Sequence, residues 1–71
     1  MAEEFSRVTE NPLWQLLVET AKANPLYPYH LAYIRDRVLP REEKLDPREI
    51  SLRLGLPLGE VLVILHELGK L

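Results

Sequence analysis

The side chains that could do chemistry in this chain are few and scattered. His30 and His66 are its only histidines, and neither has a second histidine at metal-ligand spacing. Ser6 and Ser51 have no histidine close in sequence, and there is no cysteine to act as a nucleophile or metal ligand. The three glycines are too dispersed to form a phosphate-binding loop. We therefore expect no enzyme activity, no metal and no cofactor.

The arginines between residues 35 and 53 are the chemical group best suited to a ligand. If the stretch bound DNA, its phosphate contacts would come from Arg35, Arg37, Arg41, Arg48 and Arg53. Five acids share the stretch, Glu42 and Glu43 among them, and the whole chain has a formal net charge of -2. Cationic groups supply most of the non-specific affinity for DNA, and in this stretch acids nearly balance them. We therefore interpret the stretch as a solvated surface of mixed charge.

Aromatic residues cluster near the junction of the first two predicted helices, at Trp14, Tyr27, Tyr29 and Tyr33. If exposed, they could stack on nucleic-acid bases, as aromatic side chains do in proteins that bind single strands. Aromatic side chains also dominate small cores, so we predict that these four pack between the two helices.

Length and composition indicate one small domain. The chain has 71 residues, of which 46% are hydrophobic and 28% charged, as in ordinary globular domains. The first four residues include two acids, Glu3 and Glu4, and resemble no signal peptide. The longest apolar run, Val61 to Leu65, is too short to span a bilayer. We expect a cytoplasmic protein with no membrane partner. Fifteen leucines, one glutamine and no cysteine are typical of a thermophile.

Helix signals divide the chain into a flexible leader at residues 1–10, whose Phe5 could dock, and one domain at residues 11–71. The first helix is predicted from Asn11 to Asn24, before Pro25, and the second from about Tyr29 to Leu39, after a short linker at 26–28. A charged connector at 41–44 follows. Asp46-Pro47-Arg48-Glu49 predicts a capped third helix that ends at Gly55, and the fourth helix is predicted over about 58–68.

Residues 45–71 contain a pattern formed by Glu49-Ile50-Ser51 with Leu54, by Gly55-Leu56-Pro57, and by Val61, Leu65 and Leu68. With this pattern the segment resembles the helix-turn-helix of winged-helix DNA-binding domains. Four short helices and no convincing strand predict an all-α fold, and the resemblance implies that a helix-turn-helix core carries an extra N-terminal helix. The given sequence ends where a wing would begin, so we expect any wing to be absent or shortened.

The last helix would be the recognition helix, and its chemistry is unusual for that role. The candidate recognition or interface face consists of Leu58, Gly59, Leu62, Val63 and His66. The positions predicted to point outward are Gly59, Glu60, Leu62, Val63, His66 and Glu67, two of which are acids that phosphates repel. They include no Arg, Lys, Asn or Gln, the usual readers of base edges. A helix that is apolar nearly all round is usually buried, which favours either a partner protein on this face or coverage by the leader or first helix of the same chain.

Two functions follow from these observations. The first is a DNA-binding transcriptional regulator that acts as a dimer on double-stranded DNA, as the resemblance implies. The second is a protein-interaction module that reuses the fold, with the apolar outer face of the last helix as its partner surface. The expected protein partner is a second copy of the chain or another protein.

Overall fold

The computed structural model describes residues 3–41 and 46–71. The described residues contain no strand and form four α-helices: α1 (Trp14–Ala23), α2 (Tyr27–Tyr33), α3 (Pro47–Leu54) and α4 (Leu58–Glu67). Shorter helical turns complete the chain, with 3₁₀ turns at Glu3–Phe5, Val8–Glu10 and Leu39–Arg41 and a π-helical turn at Ile34–Val38. The predicted all-α class is confirmed. The first two residues of the predicted leader and most of the charged connector, including Glu42 and Glu43, lie outside the described residues.

α1 begins at Trp14, three residues after its predicted start. Asn11 still organises the entry, because its Oδ1 accepts a hydrogen bond from the Leu13 N–H at 2.8 Å. Such a side-chain turn substitutes for a backbone turn and aims the chain into the helix. The end of the helix is as predicted: Asn24 is extended, since the residue before a proline is pushed out of the α region.

α2 begins at Tyr27, so the predicted linker at 26–28 is wrong at its last two residues. Pro28 lies in the first turn of the helix, where its missing N–H is not needed. After Tyr33 the backbone keeps turning through the π turn and then the last 3₁₀ turn, which contains Pro40 and extends two residues beyond the predicted end of the helix.

The boundaries of α3 and α4 agree with those predicted from the sequence. Asp46 caps α3, as its Oδ1 accepts a hydrogen bond from the Arg48 N–H at 3.1 Å. The capping-box pattern predicts that the Glu49 carboxylate accepts a hydrogen bond from the Asp46 N–H. In the structure Glu49 accepts a hydrogen bond from Arg53 at 2.5 Å. Gly55 ends α3 with a φ of 68°, the left-handed conformation that glycine adopts at no steric cost.

α4 is the central helix of the fold. Its residues Glu60–Leu65 are all buried, and six consecutive residues cover every direction around a helix. α1 and α3 both pack against it, and its Ile64 and Leu65 lie in one apolar cluster with Ile34 and Ile50. None of the described helices is long and apolar enough to cross a membrane.

Candidate functional site

The outer face predicted for α4 is wrong in its central part. Leu62 is 5% exposed and Val63 is 2% exposed, so neither side chain is available to a DNA groove or a partner protein. Leu58 and Gly59 are half-buried, and of the five predicted residues only His66 is exposed. These side chains are buried because the face is covered within the same chain, the second alternative given above: α1 packs on α4.

Gly59 shows how closely α1 approaches. A Cβ at this position would lie 2.6 Å from Leu17 Cδ1, a distance that real Cβ atoms do not reach. The absence of a side chain therefore leaves room for Leu17 on α1. Sequence reasoning placed Gly59 on a recognition face, whereas here it is a packing contact between two helices.

The C-terminal end of α4 is fixed to its neighbours by polar and aromatic contacts. Trp14 and His66 lie edge to face, with ring centroids 5.3 Å apart. Glu67 accepts a hydrogen bond from the Tyr27 hydroxyl at 3.1 Å and pairs with Lys22 at 3.0 Å. The Lys22 hydrogen bond lowers the pKa of Glu67, against the opposing effect of burial, and burial raises the pKa of Tyr27. These contacts join α1 and α2 to the last turn of α4.

Three of the five candidate phosphate-contact arginines form ion pairs with carboxylates of the same chain. Arg35 bonds its neighbour Asp36 at 2.9 Å and lowers the pKa of that carboxyl. Arg53 bonds Glu49, one turn earlier on α3. Arg37 and Arg41 are exposed. An arginine that is already paired with a carboxylate attracts a phosphate less strongly. This agrees with the interpretation of a mixed-charge surface.

Arg48 ties the leader to α3. Its Nε donates to Glu4 at 3.1 Å, and its guanidinium lies 5.5 Å from the ring centroid of Phe5. The hydrogen bond to Glu4 raises the pKa of Arg48. Phe5 itself is 7% exposed, so the leader docks onto the domain at this residue.

An open, mainly apolar groove lies between α2 and α3, and we call it the α2–α3 groove. Its volume is about 350 Å³ and its walls are mainly apolar, formed by Tyr29, His30, Tyr33, Leu54 and Leu56. Tyr29 is 72% exposed and Tyr33 is 52% exposed. The predicted core role is therefore wrong for these two tyrosines, whereas Tyr27 is buried and Trp14 packs against the core as predicted.

The groove is held by polar contacts beneath its rim. His30 Nδ1 contacts the carboxylate of Glu60, which is 5% exposed. On the opposite wall the Ser51 hydroxyl donates to the Leu56 carbonyl at 2.5 Å. That bond fixes the turn after α3 and so positions Leu56. His30 is thus anchored to α4 and Leu56 to the turn between α3 and α4, and such anchoring preorganises a site.

The signal for this site is the spacing of the tyrosines. Residues four apart lie on one face of a helix, so Tyr29 and Tyr33 had to share a face. Which face they share depends on the position of α2 relative to α4, and local sequence does not give that position.

Comparisons with known proteins add no assignment: no family model, no curated protein and no solved structure matches this chain. The winged-helix resemblance of residues 45–71 stays a prediction from sequence. Among the described residues, no group of three or more His, Cys, Asp or Glu side chains could hold a metal ion.

Proposed function

We propose that the chain is a protein-interaction module and that its partner surface is the α2–α3 groove. The observation that carries the proposal is the exposure of two tyrosines, 72% for Tyr29 and 52% for Tyr33, beside a mainly apolar groove. Tyrosine is enriched in protein interfaces because its ring buries a large apolar area while its hydroxyl keeps a hydrogen bond. A chain this small gains little from leaving two such rings in water.

The dimensions of the groove fit side chains of a partner protein. A volume of about 350 Å³ lies at the lower end of the range for ligand pockets. Leu54 and Leu56 provide apolar walls, while the tyrosine hydroxyls and His30 offer polar contacts at the rim and floor. A few apolar side chains with one polar neighbour would satisfy all of these groups, which is the usual composition of an interface hot spot.

The arrangement of charge supports this function over DNA binding. The recognition-helix residues Leu62 and Val63 are buried, and Arg35, Arg48 and Arg53 face acids. A net charge of -2 adds no general attraction for phosphates. The partner surface of the interaction hypothesis moves accordingly from α4 to the α2–α3 groove.

Selection of peptides from a displayed random library tests the proposal. Against the wild-type chain, we expect enriched peptides that carry aromatic or leucine anchors. Their affinity should fall at least tenfold for the double variant Tyr29→Ala/Tyr33→Ala, because interface tyrosines are frequent hot spots.

The matched control is Leu13→Ala/Leu16→Ala, which removes two other exposed apolar side chains, both on or next to α1. This variant should bind the peptides as the wild type does. Circular dichroism checks that both variants are folded. Peptides that bind the tyrosine variant undiminished, or a library that yields no binder, would contradict the proposal.

A further inference from the structure

The exposed face of α2 carries a repeated spacing that reaches beyond the groove. Tyr29, Tyr33 and Arg37 follow one another at intervals of four residues, and all three are exposed. In a regular α-helix, residues four apart drift steadily around the axis. The π turn at Ile34–Val38 rotates each residue less, because its hydrogen bonds span five residues rather than four. The angular offset from Tyr33 to Arg37 is therefore opposite in direction to the offset from Tyr29 to Tyr33. As a result, Arg37 lies close to the same line along the helix surface as Tyr29.

This Tyr-Tyr-Arg row is complementary to itself when two copies run antiparallel. A two-fold axis through Tyr33 places it against Tyr33 of a second copy. Tyr29 and Arg37 lie four residues to either side of the axis, so each Tyr29 meets Arg37 of the other copy. Aromatic rings attract one another when offset or edge to face, and a guanidinium is attracted to a tyrosine ring face within about 6 Å.

The neighbouring charges leave Arg37 suited to this contact. Arg35 donates two hydrogen bonds to Asp36, at 2.9 and 3.1 Å, and these outweigh the electrostatic attraction between Asp36 and Arg37. Arg37 remains exposed beyond Tyr33. Two-fold dimers require a surface that matches itself, and the row meets that condition with one ring pair on the axis and two ring–cation pairs beside it.

We propose that the exposed face of α2 beside the α2–α3 groove docks on the same face of a second copy of this chain, antiparallel across a two-fold axis near Tyr33. The proposal rests on the proposed function, because it uses Tyr29 and Tyr33, the two tyrosines that line that groove. It assigns Tyr33 to the centre of the interface and Tyr29 to a contact with Arg37 of the second copy.

Sedimentation equilibrium over about 1 to 500 μM protein tests self-association; a standard-size interface can give micromolar affinity. The wild-type chain should sediment as a monomer–dimer equilibrium. Arg37→Glu should raise the dissociation constant at least tenfold. The matched control Arg41→Glu makes the same charge change at an exposed arginine outside the row and should alter the constant less than threefold.

A charge substitution at position 29 tests the register. Tyr29→Glu and Tyr29→Lys both remove the ring, but only the glutamate can pair with Arg37 of the second copy. We expect the dissociation constant of Tyr29→Lys to exceed that of Tyr29→Glu at least tenfold at low salt. The chain is net negative, so general repulsion between copies would give the opposite order. In an Arg37→Ala background the preference for glutamate should disappear.

The outcomes separate the two proposals. A wild-type chain that stays monomeric to 500 μM, or a Tyr29→Lys variant that dimerises better than Tyr29→Glu, overturns the second-copy proposal. If selected peptides still depend on Tyr29 and Tyr33, the interaction function stands with a different partner. If both the dimer and the peptides are indifferent to the tyrosines, both proposals fail.

Discussion

Replacing Leu62 by alanine distinguishes a buried α4 from a recognition helix with an open face. Leu62 is 5% exposed, and the substitution removes three carbon atoms from that site. At about 0.8 kcal/mol for each buried carbon group, the transfer effect is roughly 2.4 kcal/mol, and the cavity left behind brings the expected loss to about 3 kcal/mol.

The loss is large for a chain of 71 residues. Domains of this size have unfolding free energies of roughly 4–10 kcal/mol, and 3 kcal/mol should lower the melting temperature by about 12–24 °C. Urea titrations followed by circular dichroism measure the change directly. Trp14, which packs against the core, gives a second signal by fluorescence.

The matched control is Leu52→Ala, the same substitution within α3. Leu52 is 84% exposed, so its truncation should change the unfolding free energy by less than about 0.5 kcal/mol. Equal, small effects at Leu62 and Leu52 would refute the reasoning, because they would place Leu62 in solvent.

Three further predictions follow from the described contacts. Asp46→Ala should cost about 1 kcal/mol of unfolding free energy by removing the cap of α3, and a urea titration that shows no change would exclude a capping role. Glu67→Gln should reduce stability more at pH 7 than at pH 3. The Lys22 hydrogen bond lowers the pKa of Glu67, so its contribution is present above the ordinary value of 4.5 and is lost as pH falls through the lowered pKa; equal effects at both pH values would contradict this. A labelled random DNA duplex should show no anisotropy change with the protein at about 50 mM salt, whereas binding that disappears near 200 mM would support a cationic DNA surface.

Local sequence signals predicted the helices well where they were specific. Asp46 before Pro47 and the left-handed Gly55 bound α3 as expected, because caps and turns act within a few residues. The start of α2 was predicted two residues late. Pro28 was interpreted as part of a linker, although proline is equally compatible with the first turn of a helix.

Burial was harder to predict because it depends on which elements meet. The apolar character of α4 on all sides indicated burial, but it did not say whether α1 or another molecule covers Leu62 and Val63. The tyrosines show the converse. Tyr29 and Tyr33 have the residue type of a core, yet the position of α2 leaves them exposed, and the sequence holds no local signal for that position.

Hydroxyl-radical footprinting at two protein concentrations tests the central claim most directly. At low micromolar concentration, Tyr29 and Tyr33 should be oxidised rapidly, while Leu62 and Val63 are protected. At several hundred micromolar, the tyrosines should become protected and the exposed Leu13 and Leu16 should not change. Oxidation of Leu62 and Val63, together with tyrosines whose reactivity does not depend on concentration, would contradict a closed α4 and a partner surface in the α2–α3 groove.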